Sequence, residues 1–318
     1  MDISVIVPVY NEEGNVNLLY SRLSNVLNKI CNEWEVIFVN DYSKDNTLSL
    51  VKKLSYEDKH INYLSFSRNF GHQIAVSAGL DYCKGKAVVI IDADLQDPPE
   101  LIEEMYNRYK EGYKVVYAKR KAAKGISFFK RITSKIFYRL LNKMTNIKIP
   151  LDTGDFRLID RVIVEHLKNM PERNKFLRGQ IAWLGYRQTS VEFVREARFS
   201  GETGYPFSKM LRFALDGITS FSDKPLVAVS KTGFAISGLS FLFILYALVA
   251  HFIFKSTISG WTSLMICIAF IGGIQLITIG IIGEYIGRMN KDIRKRPLYI
   301  VEETSDKYDE NDINSSNV

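Results

Sequence analysis

The stretch AVVIIDAD, residues 87–94, decides the fold, because a short run of branched apolar residues is followed at once by two carboxylates. Apolar runs without polar alternation are typical of strands that are buried on both faces. Similar runs occur at Ile3–Val9 and Ile61–Phe66 and at residues 34–39. Together they predict the central strands of a sheet that is covered on both sides.

Longer amphipathic segments separate these runs. They predict helices at residues 15–30, 45–54, 72–83 and 98–110, and a further strand at 114–117. Repeated strand–helix units indicate an open, mostly parallel α/β sheet. Ligands of such sheets bind beyond the carboxyl ends of the strands, so the residues that follow each strand are the first candidates for a site.

Carboxylates follow three of the predicted strands. Glu12 follows the first strand, Asp41 the second, and Asp92 and Asp94 the fourth. One or two carboxylates commonly hold Mg²⁺ or Mn²⁺, whose shell is completed by water and substrate phosphates, so the aspartate pair predicts a metal site that carries a diphosphate. The patterns GxGxxG after the first strand and GxxxxGK[ST] are absent, which disfavours a dinucleotide dehydrogenase and a P-loop NTPase. Taken alone, Asp41 and Glu12 are equally compatible with solvated turns.

The composition limits the class of protein. The 318 residues are 47% hydrophobic and 24% charged, as expected for a packed core and not for a disordered or collagen-like chain. The three cysteines, Cys31, Cys83 and Cys267, form no CxxC pair, which excludes a zinc ribbon and indicates reduced thiols in a cytosol-facing protein. The net charge of +7 indicates an anionic partner without identifying it.

The C-terminal third of the sequence contains two uncharged apolar stretches, at residues 232–254 and 261–283, each 23 residues long. Each is about 34 Å long as a helix, which exceeds a hydrocarbon core of about 30 Å. They predict a two-helix transmembrane hairpin. Basic residues flank its outer ends, whereas the short connection carries only Lys255, so we expect both flanks to be cytoplasmic and the protein to be multi-pass.

The resulting organisation has four parts. A catalytic domain covers residues 1–200, an interfacial segment 201–226, the two transmembrane helices 227–287, and a basic and then acidic cytoplasmic tail 288–318. The acidic, polar composition of residues 302–318 predicts a disordered end.

Residues 112–151 contain no acidic residue and eleven basic ones. Apolar residues recur within this segment at helical spacing, which predicts an amphipathic helix at the membrane surface; an ordinary surface helix is the alternative. A nucleic-acid partner is disfavoured, because a membrane already accounts for the positive charge. Arginine matches phosphate geometry, so Lys119, Arg120 and Arg131 are candidates for binding a lipid phosphate, and Arg198 is a further one.

The chain resembles the family 2 glycosyltransferases with the GT-A fold, and within them the polyprenyl-phosphate enzymes of the bactoprenol glucosyltransferase and dolichol-phosphate mannose synthase type. The motifs are VPVYNE (7–12), SRNFG (67–71), DADLQDPPE (92–100), TGDFRL (153–158) and GEYIGR (283–288). Tyr42 stands where the family usually has glycine. The QxxRW motif of processive synthases is incomplete here, because Gln180-Ile-Ala-Trp183 lacks the arginine.

The resemblance implies a role for each motif residue. The nucleotide sugar would be bound by Pro8, Tyr10, Glu12, Asp41, Asp92, Ala93 and Gln96. The metal, Mg²⁺ or Mn²⁺, would be held by Asp94 and Asp92, and the catalytic residues would be Asp94 and Asp155. Asp155 would be the base. A phosphate acceptor is largely ionised at neutral pH, however, so Asp155 could instead orient a reactant.

The implied reaction is the inverting transfer of one hexose, glucose from UDP-glucose, to polyprenyl phosphate at the cytoplasmic leaflet. The partners would be the nucleotide sugar, the polyprenyl phosphate and the bilayer, which the resemblance implies to be the bacterial cytoplasmic membrane. Two alternatives stay open: another donor, GDP-mannose or an aminosugar nucleotide, or a catalytically silent membrane scaffold that binds nucleotide sugars. A homo-oligomer is also left open.

Overall fold

The computed structural model describes residues 1–120, 153–194, 224–252 and 260–305. The strands in these residues are β1 (Ile3–Val9), β2 (Trp34–Asn40), β3 (Ile61–Phe66), β4 (Ala87–Ile90), β5 (Val115–Arg120), β6 (Thr153–Asp160), β7 (Gln188–Phe193) and β8 (Val301–Thr304). The helices are α1 (Val16–Ile30), α2 (Thr47–Glu57), α3 (His72–Tyr82), α4 (Leu101–Lys110), α5 (Arg161–Lys168), α6 (Leu177–Trp183), α7 (Lys224–Phe252) and α8 (Trp261–Ile293).

The strands form one sheet in the order β7-β5-β6-β4-β1-β2-β3-β8. Its centre, β4-β1-β2-β3, is parallel, whereas β6 runs antiparallel to β4 and β8 antiparallel to β3. The predicted α/β class with a mostly parallel sheet is therefore confirmed. The helices and strands predicted up to residue 117 are all present, with ends that differ by at most three residues.

Both faces of the sheet are buried. Along β1, Val5 and Val7 pack in one hydrophobic cluster with Leu19 of α1, whereas Ile6 packs in a second cluster with Val76 of α3. Full burial of one such side chain contributes about 1.5–3 kcal/mol. The burial of alternate residues on opposite faces explains why β1 shows no polar alternation.

The start of the predicted disordered end, residues 302–304, forms part of a strand. Residues 306–318 lie outside the described part of the chain, so disorder there stays a prediction. Residues 302–304 lie in β8, which pairs with β3 at the edge of the sheet. Nζ of Lys52 lies 2.6 Å from a carboxylate oxygen of Glu303, and the hydroxyl of Tyr63 donates to the same carboxylate at 3.0 Å. Just before β8, Tyr299 is 2% exposed and stacks on Phe66. Strand pairing and this aromatic anchor outweigh the acidic composition.

The two long helices α7 and α8 overlap the predicted membrane spans and contact each other. Within the described residues, one helical stretch, Phe270–Ile293, has the length and hydropathy needed to cross a membrane. The two-span hairpin therefore stays a prediction. Residues 121–152 and 195–223, which include the predicted amphipathic helix, Arg131, Arg198 and most of the predicted interfacial segment, lie outside the described part of the chain.

Candidate active site

The carboxyl ends of β1, β2 and β4 meet the amino end of β6 at one edge of the sheet. The first three strands are parallel, so the residues that follow them lie at the same edge. Strand β6 runs antiparallel to β4, with Arg157 opposite Ile90. Continuing this register brings Asp155 opposite Asp92, so two carboxylates that are 63 positions apart in the sequence become neighbours.

Asp155 is 9% exposed, and three side chains lie within 3.5 Å of its carboxylate oxygens, while Nη2 of Arg157 lies at 3.9 Å. Nε of Arg178 donates to its Oδ1 at 2.7 Å, and Nε2 of Gln73 donates to its Oδ2 at 3.1 Å. Nε2 of His72 lies 3.3 Å from Oδ2 of Asp155 and 3.5 Å from Oδ1 of Asp92. We refer to Asp155, Asp92, His72, Gln73 and Arg178 as the Asp155 cluster.

Four separate segments supply the cluster. His72 and Gln73 lie in the first turn of α3, Arg178 in the first turn of α6, Asp155 near the start of β6, and Asp92 just after β4. Gln73 also accepts a hydrogen bond from the backbone N–H of Leu177 at 3.3 Å, and Arg178 donates to the carbonyl of Thr153 at 3.0 Å. These bonds fix α6 against α3 and β6, so the cluster is held on rigid elements.

Charge pairing controls protonation in the cluster. Burial favours a raised pKa for Asp155, but the charge of Arg178 and the hydrogen bonds from His72 and Arg178 hold this pKa well below its usual range. Burial acts to lower the pKa of His72, yet the hydrogen bond to Asp155 and the charges of Asp92 and Asp155 raise it to about 9. At neutral pH an ionised Asp155 therefore faces a protonated His72. A carboxylate in this state is a weak proton acceptor.

The segment after β4 alternates in burial. Asp92, Asp94 and Gln96 are partly exposed, whereas the residues between them, Ala93 and Leu95, are buried. Oδ1 of Asp94 accepts a hydrogen bond from the backbone N–H of Gln96 at 3.1 Å, and Leu95 adopts a φ of 58° at this turn. The turn therefore presents both candidate metal ligands and Gln96 on the accessible side of the segment.

Two predicted nucleotide-binding residues point into the core. The side chain of Ala93 is 4% exposed and packs in a hydrophobic cluster, and Pro8 is buried in β1. Only the backbone of Ala93 is thus left for the predicted contact. Pro8 follows the last residue pair of β1 with β4, Ile6 with Ile90, so its missing N–H removes no hydrogen bond from that ladder.

Asp41 has a structural task in addition to its predicted one. Its carboxylate accepts hydrogen bonds from the backbone N–H groups of Phe70 and Gly71, at 2.6 and 2.9 Å, which fixes the chain entering α3. Burial raises the pKa of Asp41 although these bonds oppose the shift. Tyr10 is 45% exposed at the same rim, and the backbone N–H of Glu12 donates to Thr47 at 2.8 Å.

Tyr42, which departs from the family pattern, is strained. Its φ is 64°, in the left-handed region that glycine adopts without strain. The tyrosine ring is 45% exposed, so little packing compensates for the backbone strain.

We expect Tyr42→Gly to stabilise the protein. Left-handed geometry costs a non-glycine residue about 1–2 kcal/mol, which glycine avoids. Glycine also has more conformational freedom in the unfolded chain, and this offsets about 0.4–1 kcal/mol of the gain. The unfolding free energy of the full chain in detergent should rise by about 0.5–1 kcal/mol in urea titrations. Tyr42→Ala keeps a Cβ at the strained position and serves as the control. Equal stability of the two variants would contradict this explanation.

Lys119 and Arg120, both predicted to bind phosphate, have different partners and lie in different surroundings. Nη2 of Arg120 lies 3.5 Å from Oδ2 of the buried Asp97, and a Cβ on Gly154 would approach this Nη2 to 2.8 Å. Arg120 thus lies over Gly154, next to Asp155. Lys119 is instead paired with Glu192 of β7 at 3.3 Å.

Three members of the cluster, His72, Gln73 and Arg178, were not predicted from the sequence. A signal existed for the first two, because they directly follow the SRNFG motif after a strand end. No sequence pattern marked Arg178, which lies 23 residues from Asp155 and is brought to it by the fold. Arg157, which donates to the carbonyl of Gly154 at 2.9 Å, lies within the TGDFRL motif but had no predicted role.

The carboxylates fit a divalent cation. Oδ1 of Asp92 is buried and accepts no hydrogen bond within the described part of the chain, although Nε2 of His72 lies 3.5 Å from it. Burial, together with the charges of Asp155 and Asp94, raises the pKa of Asp92 although His72 opposes the shift. Among the described residues no group of three or more His, Cys, Asp or Glu side chains could hold a metal. The donors therefore fit a cation that takes its other ligands from water and substrate phosphates.

Comparison with known proteins gives a consistent picture. The model of glycosyl transferase family 2 matches residues 4–168. The chain is 50% identical over 301 residues to YkcC of Bacillus subtilis, described as an uncharacterized glycosyltransferase, covering 95% of this chain and 93% of that one. It is 41% identical over 301 residues to a prophage bactoprenol glucosyl transferase homolog of Escherichia coli, covering 95% of this chain and 98% of that one. It is 40% identical over 304 residues to the bactoprenol glucosyl transferase of Shigella phage SfII, covering 96% of this chain and 98% of that one.

Proposed function

The chain belongs to glycosyl transferase family 2, and from this premise we propose that it transfers one glucose from UDP-glucose to polyprenyl phosphate. The observation that carries the proposal is the extent of the similarity to bactoprenol glucosyl transferases. An alignment over 95% of the chain includes both the sheet and the long helices α7 and α8. An enzyme with a soluble acceptor would not require the long helices α7 and α8.

The donor would lie along the rim formed by the loops after β1, β2 and β4. Tyr10, Glu12 and Asp41 would contact the nucleoside, together with Pro8. Asp92 and the backbone of Ala93 would face the ribose or diphosphate, and Gln96 would line the sugar pocket. The support for these roles is the accessibility of Tyr10 and of alternate residues after β4.

The metal, Mg²⁺ or Mn²⁺, would be held by Asp94 and Asp92. When bound, it would supply positive charge that neutralises the departing diphosphate. Asp94 is the better candidate of the two, because Nε2 of His72 already lies 3.5 Å from Oδ1 of Asp92.

Asp155 would act by positioning and not by accepting a proton. The acceptor phosphate has a second pKa near 6 and is largely ionised at neutral pH, so its attack on the sugar needs no strong base. The lowered pKa of Asp155 and its bonds to Arg178, Gln73 and His72 favour this role. The phosphate oxygen would form the new bond to the anomeric carbon while UDP leaves from the opposite face, with inversion to a β-linked product.

The membrane would hold the chain through α7 and α8 as a hairpin, with the sheet on the cytoplasmic side. The support is the apolar stretch Phe270–Ile293 and the basic residues that follow it. This arrangement would bring the rim of the sheet to the leaflet that contains the lipid acceptor.

Transfer to the lipid is tested with the purified full chain in detergent. Labelled UDP-glucose, undecaprenyl phosphate and Mn²⁺ or Mg²⁺ should yield label in the organic-solvent extract, and omission of the acceptor should abolish it. GDP-mannose and UDP-N-acetylglucosamine, tested in parallel, identify the donor. Donor binding without labelled lipid under any of these conditions would contradict the proposal and favour the silent scaffold.

Arg120 offers a test of the acceptor site. If its guanidinium binds the acceptor phosphate, Arg120→Ala removes a charge-assisted hydrogen bond worth about 1.5–3 kcal/mol. The kcat/KM for undecaprenyl phosphate should then fall by about 10- to 150-fold in detergent. Lys119→Ala removes the neighbouring charge, which is paired with Glu192, and should change this value less than about threefold. Equal effects of the two variants would contradict binding of the acceptor phosphate by Arg120.

A further inference from the structure

A cavity of about 430 Å³ lies on another side of the sheet domain, away from the Asp155 cluster. It is lined by α3, by the segment from α5 to α6, and by the chain that follows α8. The two regions are separated by α6: Leu177 lines the cavity, whereas the next residue, Arg178, binds Asp155. Its volume is within the range of about 300–1,000 Å³ that is typical of small-molecule sites.

The lining of this cavity is strongly basic. Five cationic side chains line it, namely Lys168, Arg173, Lys175, Lys295 and Arg296. Its acidic lining residue is Asp81, whose carboxylate already accepts a hydrogen bond from the hydroxyl of Tyr299 at 2.8 Å. The cationic side chains of the lining therefore outnumber its acidic one by four, although Glu165 lies 3.9 Å from Lys168 and Glu172 lies near Lys175. Such a cluster of positive charge attracts anions.

Several of these cations are available to a ligand. Within the described part of the chain, the side chains of Arg173, Lys295 and Arg296 make no hydrogen bond or ion pair. Lys175 is held in place, because its Nζ donates to the carbonyl of Met170 at 2.9 Å. Burial lowers the pKa of Lys175 even though nearby Glu172 and Asp81 oppose the shift. This cost of burying an ammonium group would be relieved by a bound negative charge.

We propose that this cavity binds a phosphate group. The two arginines can form paired hydrogen bonds with phosphate oxygens, and the lysines add point charges. Lys295 and Arg296 begin two residues after Ile293, which ends both α8 and the candidate membrane stretch. The cavity thus lies beside the end of this candidate stretch, and Leu80, Leu167 and Leu298 provide an apolar wall. The phosphate could belong to a phospholipid headgroup or to a free phosphate ion.

The full chain in nonionic detergent provides the first arm of the test. Sodium phosphate is titrated against sodium chloride at constant ionic strength, and the thermal unfolding midpoint is recorded. We expect a saturable rise of the midpoint for the wild type. Lys295→Gln combined with Arg296→Gln should raise the half-saturating phosphate concentration at least about tenfold.

The matched control is Lys291→Gln combined with Arg294→Gln. It removes one lysine and one arginine from the same end of α8, but neither residue lines the cavity. We expect less than about a twofold change in half-saturation. An equal loss in both pairs, or an unchanged midpoint in the wild type with both phosphate and lipid, would overturn the proposal.

The second arm identifies the source of the phosphate. The same three proteins are placed in nanodiscs of phosphatidylcholine alone or of an equimolar mixture with phosphatidylglycerol. A lipid ligand predicts that phosphatidylglycerol raises the midpoint of the wild type and the control pair but not of the cavity pair. A rise with sodium phosphate alone would assign the cavity to a free phosphate ion, and a rise that the cavity pair retains would contradict a site here.

Discussion

Asp94→Asn is expected to reduce glucosyl transfer by at least about 100-fold. The change keeps the size of the side chain and its turn but removes a charged metal ligand. Metal stabilisation of a departing diphosphate contributes several kcal/mol, and each 1.36 kcal/mol corresponds to a tenfold change in rate. Initial rates of labelled-lipid formation at saturating donor measure the loss, and excess chelator should abolish the wild-type activity in the same assay.

The matched control for Asp94→Asn is Glu100→Gln. Glu100 belongs to the same acidic motif, but its carboxylate is exposed and forms a bidentate pair with Arg22, at 2.9 and 2.6 Å. Its loss should leave the transfer rate within about twofold of wild type. Full turnover in excess chelator, or equal losses in the two variants, would exclude a metal at Asp94.

Asp155→Asn and Arg178→Ala are each expected to lower kcat by about 100-fold, and the double variant by a similar factor. The expectation follows from the 2.7 Å bond between the two side chains. If Asp155 acts by positioning Arg178 and His72, removing either partner disrupts one shared arrangement, and the losses do not multiply. The measurement is a double-mutant cycle on single-turnover rates at saturating donor and acceptor.

The alternative, Asp155 as a proton acceptor, predicts a different cycle. The base and Arg178 would then contribute independently to kcat. The two losses of about 100-fold would multiply, so the double variant would lose about 10⁴-fold. Breaking a buried ion pair can cost about 3–5 kcal/mol of stability, so each variant is first checked for its unfolding midpoint and for UDP binding. Arg178→Lys restores the charge without the planar fork and should recover part of the rate. Arg108→Ala, on the exposed face of α4, is the control for loss of an arginine.

The fold was predictable to the extent that local pattern controls it. The buried strands from Ile3–Val9 to Ala87–Ile90 carry their own signal, because each must cover two faces with apolar side chains. Strand β8 carries no such signal. Its sequence Val301–Thr304 is half acidic, and it is ordered by pairing with β3 and by the anchor at Tyr299.

The candidate site divides in the same way. Asp92 and Asp94 were predictable because they directly follow a strand whose carboxyl end must lie at the ligand-binding edge. Asp155 was known from its motif alone, and its place beside Asp92 depends on the antiparallel register of β6 against β4. Arg178 had no signal, since its role depends on the packing of α6 against α3 and β6.

The sequence by itself thus determined the α/β class, the order of the central elements and the family, because those depend on apolar periodicity and on contiguous motifs. Only the tertiary structure decided which side chains hold Asp155, why Tyr42 is strained, and that a basic cavity forms between α3 and the chain after α8. Each of these depends on contacts between segments far apart in the sequence. Such contacts arise from packing and register, which no short stretch of residues specifies.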